Sequence, residues 1–187
     1  EETWDNLGMI NTSLDFPHQE VLDKSTQYVA DKKDDRIEAP LDNRSYMYAG
    51  GGYLSTAEDL VIMGSKLLSD EYLSKETLNL LTSSHQLKDG TLTNYGLGWE
   101  CGTNRMNTSL IYHSGSMSSA RSHLVIFPEK EIVFAYLANT GDKIFFNDRE
   151  AHSIAELFLE KVISKELQES MTGIWEIKTT SLRNKPT

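Results

Sequence analysis

The feature that most constrains this chain is a pair of β-rich runs, Ser122–Phe127 and Ile132–Leu137, joined by the short polar connection Pro128-Glu129-Lys130-Glu131. A connection of that length suits a hairpin, so the two runs are expected to pair antiparallel. A strand with one face in water alternates apolar and polar residues, and Leu124-Val125-Ile126-Phe127 and Ile132-Val133-Phe134-Ala135 do not. Apolar side chains on both faces demand a sheet covered on both sides. Two covering layers must therefore be found elsewhere in the chain.

One cover lies downstream. From about Asp148 to Leu167, the residues Ala151, Ile154, Ala155, Phe158, Val162 and Ile163 fall on one stripe, with Glu156, Glu160 and Lys161 on the opposite face. That spacing predicts a long amphipathic helix. The other cover lies upstream, at Ala49-Gly50-Gly51-Gly52-Tyr53-Leu54-Ser55-Thr56-Ala57-Glu58-Asp59. Three glycines permit a tight turn, and Ser55 with Glu58 has the spacing of a capping box. Leu60, Met63, Gly64, Leu67 and Leu68 then recur at helical spacing, predicting a helix over 56–69. A shorter helix, opened by Ser74, is expected over 75–83.

The remaining strand signals are Tyr95–Trp99 and Leu110–His113, the latter followed by a small-residue turn from Ser114 to Ala120. The fold class that results is α+β. Three antiparallel strands, roughly 109–114, 121–127 and 131–138, pack against the C-terminal covering helix on one face and a helical region on the other. Residues 1–48 lack periodicity, and Phe16-Pro17 and Ala39-Pro40 punctuate them as loops, so they are expected to form a loop layer. After Ser170, Met171–Lys178 reads as a fresh strand. The chain is thus expected to divide into 1–170, the C-terminal portion of a larger domain, and a segment 171–187 read as the truncated start of a further β-rich module.

Charge and composition exclude several functions. Eighteen basic residues against 28 acidic ones give a net charge of −10. The one clear basic pair, Lys32-Lys33, is flanked by Asp31 and Asp34-Asp35. A phosphate backbone needs clustered cations, so a nucleic-acid partner is not expected. No apolar run approaches the eighteen or so residues of a spanning helix, so no membrane segment is expected. Cys101 is the only cysteine and cannot form an internal disulfide. No nearby cation favours its thiolate, and it reads as structural. The five histidines show neither HExxH nor any CxxC spacing, so neither a metal nor a cofactor is expected.

Singly these pieces are structural in most proteins; their order is more specific. The glycine turn with Ser55-Thr56-Ala57-Glu58-Asp59 is followed by Tyr95-Gly96-Leu97-Gly98-Trp99, then His113-Ser114-Gly115, then Phe127-Pro128 and a returning strand ending Leu137-Ala138-Asn139. Upstream lies Leu7-Gly8-Met9-Ile10-Asn11-Thr12-Ser13. Over about residues 4–168 this succession resembles the serine β-lactamase-like and penicillin-binding-protein family, which includes class C β-lactamases, DD-peptidases and esterase relatives.

The resemblance implies acyl transfer through a covalent serine ester. In such proteins a Ser-x-x-Lys supplies nucleophile and base, a Tyr-x-Asn a further acid/base, and a Lys-Thr-Gly or His-x-Gly the edge strand beside them. Only the third has a match here, His113-Ser114-Gly115. By resemblance His113 is a catalytic group beside the reacting centre, and Ser116 is catalytic through its backbone N–H as an oxyanion-hole donor. Ser114 offers a hydroxyl to substrate, and Gly115 lets substrate approach the strand. Taken alone, a His at a strand end is usually no more than a hydrogen-bonded residue. Ser116 and Ser119 stand where the family often has glycine.

No Ser-x-x-Lys, Tyr-x-Asn or Gly-x-Ser-x-Gly occurs in the chain. The expectation is therefore the C-terminal half of a serine hydrolase acting on an ester, amide, D-alanyl peptide or β-lactam, and inactive by itself. Its partners are then the missing N-terminal part of the same parent and a small-molecule or peptide substrate. Self-association through uncovered surface is also expected, and the family favours an extracytoplasmic location. The alternative is a non-catalytic binding or scaffold relative that kept the fold.

Overall fold

In a computed structural model, residues 3–31, 35–69, 72–141 and 148–159 are described. The elements are α1 (Thr3–Leu7), β1 (Ser13–Leu14), β2 (Tyr28–Ala30), β3 (Arg36–Glu38), β4 (Tyr53–Leu54), α2 (Ala57–Leu67), α3 (Lys75–Thr82), β5 (Glu100–Thr103), β6 (Ser109–Ser116), β7 (Arg121–Phe127), β8 (Ile132–Ala138) and α4 (Asp148–Leu157). The anticipated module at 171–187 and the end of the long helix beyond Leu159 lie outside the described residues.

The centre is an antiparallel sheet ordered β5-β6-β7-β8. It has four strands rather than the three expected. The strand anticipated over Tyr95–Trp99 is instead a tight loop. Gly98 turns at φ +89, and a Cβ on Gly96 would lie 2.0 Å from the Leu81 carbonyl oxygen at the end of α3. Leu97 N donates to that same carbonyl at 2.9 Å, so the glycines serve a close backbone approach. The strand begins one residue after Trp99.

Both faces of the sheet are covered, as its apolar pattern requires. β7 is an inner strand of this sheet, and Leu124 to Phe127 are all buried. Leu124 and Ile126 point to one layer with Ile111, Leu67, Leu60 and Met63, the last three from α2. Val125 and Phe127 point to the other, with Leu110 and Ala155 of α4. α2 sits close because Gly64 has no side chain: a Cβ there would lie 2.6 Å from Val133 Cγ1.

Two local expectations change. Thr56, not Ser55, caps α2, its hydroxyl accepting from Asp59 N at 3.1 Å. Ser55 Oγ is taken up with Thr12 Oγ1 at 2.8 Å, which leaves the next hydroxyl to cap the helix. Glu156, placed by spacing on the solvent face of the C-terminal helix, is buried. Arg105, in the β5–β6 turn, reaches it at 2.8 Å and compensates the charge.

The segment before α2 holds short elements rather than none. α1 and the β1–β4 pair dock on α2 through Asp59, which is 1% exposed. Its carboxylate accepts from Asn11 N at 2.8 Å and Thr12 Oγ1 at 2.7 Å, bonds a buried carboxylate needs. The β2–β3 hairpin joins the end of β8 through Tyr28 N donating to Asn139 O at 2.9 Å.

Candidate active site

The His113–Ser116 motif lies at the end of β6 that β5 does not reach. β5 pairs only with Ser109–Tyr112, so the next four residues have no strand neighbour on that side among the described residues. On the other side they pair with β7, His113 opposite Leu124 and Ser116 opposite Arg121. Met117 N donates to Ala120 O across the hairpin at 2.9 Å. Backbone groups alternate in direction along an antiparallel strand, so the N–H and C=O of Ser114 and Ser116 turn away from β7 toward the uncovered edge.

Side chains alternate as well. His113 and Gly115 share the face covered by α2, while Ser114 and Ser116 belong to the face covered by α4. The structure thus brings His113, the bare Cα of Gly115 and the outward amides of Ser114 and Ser116 to one edge. The Ser114 hydroxyl does not share the face of His113.

His113 is exposed but held. Its Nδ1 lies 2.8 Å from the Ser114 carbonyl oxygen and its Nε2 2.9 Å from the Tyr95 hydroxyl. A carbonyl can only accept, so Nδ1 carries the proton. In the tautomer this selects, Nε2 holds the lone pair and accepts from the Tyr95 hydroxyl. The two rings also meet edge to face at 5.9 Å. Tyr95 is the site residue that strand patterning hides, since its place beside His113 depends on the loop built by Gly96 and Gly98.

Gly115 leaves no room for a side chain. A Cβ there would lie 2.2 Å from Ser122 Oγ, so the Ser122 hydroxyl occupies the space over the glycine on the cleft face. Nothing in the sequence marks Ser122, because its role follows from register alone.

Behind this edge, on the α4 face, lies a second polar layer. Tyr112 has its phenol pushed up to about 12 by burial and by the carboxylate of Glu100. His152 of α4 stacks edge to face on Tyr112 at 4.3 Å. His123 is 3% exposed, its Nδ1 3.4 Å from the Asp148 carboxylate. Burial lowers the pKa of both histidines, outweighing the pull of Asp148. No group of three metal-ligating side chains occurs among the described residues.

The Beta-lactamase family model matches residues 1–158. The chain belongs to the beta-lactamase family. Among its relatives is the human mitochondrial serine beta-lactamase-like protein LACTB, 26% identical over 158 residues. That match takes in 70% of this chain and 28% of the relative, so the chain spans under a third of the relative's length.

Solved members show the same fold at lower identity. The octameric penicillin-binding protein homologue from Pyrococcus abyssi is 24% identical, with a TM-score of 0.65 over 83% of this chain and 36% of that one. A D-stereospecific amidohydrolase from Streptomyces sp. is 20% identical, with a TM-score of 0.61 over 76% of this chain and 44% of that one. A class C beta-lactamase is 15% identical, with a TM-score of 0.60 over 86% and 49%. Beta-lactamase-like hydrolases of the penicillin-binding type thus share the α+β architecture seen here.

Proposed function

We propose that these residues form one wall of the reaction cleft of a serine hydrolase working through an acyl-serine intermediate. The observation that carries the reading is the uncovered edge of β6 from His113 to Ser116. Edge amides fixed by a sheet are preorganised donors for a developing oxyanion. The Ser116 amide is one such donor, the second coming from the nucleophilic serine. Gly115 keeps a side chain off the strand, and the Ser122 hydroxyl that lies over it is the group the acyl chain meets there. His113, oriented by the Ser114 carbonyl and by Tyr95, offers Nε2 and the Tyr95 hydroxyl as a linked hydrogen-bonding pair beside the reacting centre. Ser114 is reached by substrate over the open edge.

Neither Ser-x-x-Lys nor Tyr-x-Asn occurs in the 187 residues, and in this reading an N-terminal part of the same parent supplies both. The 28% coverage of the LACTB relative supports this reading. Substrates of the proposed parent are esters, amides, D-alanyl peptides or β-lactams; the amidohydrolase neighbour is consistent with D-configured amides.

The test is labelling by a serine-directed acylating probe. The natural full-length protein is expected to form a covalent adduct, and residues 1–187 alone none. In the full-length protein H113A should slow labelling at least ~100-fold. Absence of labelling in the intact protein points instead to a binding or scaffold relative, and labelling of the 187-residue chain alone contradicts the division of the site.

A further inference from the structure

The turn that follows the motif is held by a buried ionic network from the opposite end of the chain. Ser119 is 2% exposed, Arg44 5% and Asp15 7%. Arg44 Nη2 donates to Gln27 Oε1 at 2.6 Å and to Ser119 Oγ at 3.1 Å, and Ser119 Oγ donates to Gln27 Oε1 at 2.9 Å. Asp15 offsets the guanidinium at 3.7 Å and is itself bonded by Lys24 at 2.6 Å. A buried guanidinium is costly unless its donors and charge are both met. Of this network, Arg44 and Gln27 both bond the hydroxyl of Ser119, which lies in the four-residue turn Met117–Ala120.

The same turn is gripped from two further sides. Arg121 donates to the carbonyls of Met117, Ala120 and Gly141. Gly141 has no side chain where the turn crosses it, since a Cβ there would lie 1.7 Å from the Ser118 carbonyl oxygen. From the glycine turn, Gly51 faces the methyl group of Met117, which would lie 3.5 Å from a Cβ at that position.

We propose that Arg44, acting through Gln27 and Ser119, is a positioning residue for the β6–β7 turn and hence for the outward amide of Ser116. The mechanism is one of register. The Met117 N–H to Ala120 O bond closes the hairpin one residue beyond Ser116, so movement of the turn swings the Ser116 amide along the uncovered edge. A displacement of a fraction of an ångström matters there, because an oxyanion donor works only at hydrogen-bond distance from the developing charge. The network thus carries the conformation of residues 15–44 into the cleft without touching substrate. This deepens the reading of the cleft proposed above.

The experiment uses the natural full-length protein and the variants S119A and R44K, with two readouts that fail independently. Hydrogen exchange followed by mass spectrometry reports on the turn. In both variants the segment 116–120 should exchange at least tenfold faster, while 124–127 in the middle of the sheet keeps its protection. Steady-state hydrolysis of an ester or β-lactam probe should lose about tenfold in kcat, with KM within about twofold. Unchanged exchange at 116–120 overturns the proposal whatever the activity does. Faster exchange with unchanged kcat overturns the link from turn to amide. If R44K loses protection throughout, S119A, which deletes one hydroxyl, decides. A protein inactive toward every probe refutes the hydrolase reading, and exchange still judges the clamp.

Discussion

At Gly115 the strand has no atom to spare, because the Ser122 hydroxyl fills the space a Cβ would need, 2.2 Å away. G115A should cost ~1–3 kcal/mol by overpacking. Because the obstacle is one hydroxyl, most of that loss should return in G115A/S122A, read as recovery of the denaturation midpoint. At His113 the matching contact is polar. Y95F removes the donor to Nε2 but leaves the Nδ1 bond to the Ser114 carbonyl. One hydrogen bond of this kind is worth ~1 kcal/mol, so Y95F should slow acylation of the proposed parent about fivefold without changing the fold. An unchanged rate would show that Tyr95 plays no part in orienting His113. His113 itself was visible in the sequence by resemblance. Its support was not, because the partnership with Tyr95 arises from a loop whose glycines also suit a strand.

At the scale of elements, the sheet and its covers were legible wherever packing imposes a period. The unbroken apolar run Leu124–Phe127 requires a strand buried on both faces, and α2 and α4 supply the two layers. What stayed hidden depended on partners distant in sequence. Glu156 is polar by type yet buried, because Arg105 approaches from the β5–β6 turn. The cap of α2 moved from Ser55 to Thr56 because Thr12 engages Ser55. Gly64 shows the same dependence. Alanine there would raise helix propensity by ~1 kcal/mol, but its Cβ would meet Val133 Cγ1 at 2.6 Å. G64A should therefore destabilise on balance, by ~1–2 kcal/mol, and V133A should relieve it; a stabilised G64A would contradict the close docking of α2.

The α4 face carries a pH dependence of defined sign. His123 and His152 have folded-state pKa values below the unfolded value of 6.5, chiefly through burial. The unfolded chain then binds more protons than the folded one as pH falls through that value. Stability from these groups is complete above about pH 6.5 and is lost on acidification through their folded-state values. The thermal midpoint should be level near neutrality and fall toward pH 5. H152F, which keeps an aromatic ring against Tyr112, should make that fall shallower. An equal fall in H152F would assign the acid sensitivity to other groups.

On the scale of the whole molecule, the described sheet is closed by strand pairing at β5–β6 but not along all of β6. On the outer side of β8 the described residues add only the end of the β2–β3 hairpin, through the bridge between Tyr28 and Thr140 and the hydrogen bonds of Asn139 to Tyr28 and Thr26. Unpaired edges invite another strand. Residues 1–187 by themselves are accordingly expected to self-associate, read as a concentration-dependent mass in sedimentation. A monomer melting in one sharp transition would count against that. In the proposed parent, β6 from His113 to Ser116 stays open because substrate uses it. The most direct test of that claim is a crystal structure of the proposed parent trapped as its acyl-serine adduct. The acyl carbonyl oxygen should lie about 2.7–3.1 Å from Ser116 N, with the Ser122 hydroxyl over Gly115 beneath the acyl chain and His113 alongside. A strand of the same protein paired along His113–Ser116, or an acyl group seated away from that edge, would contradict the account.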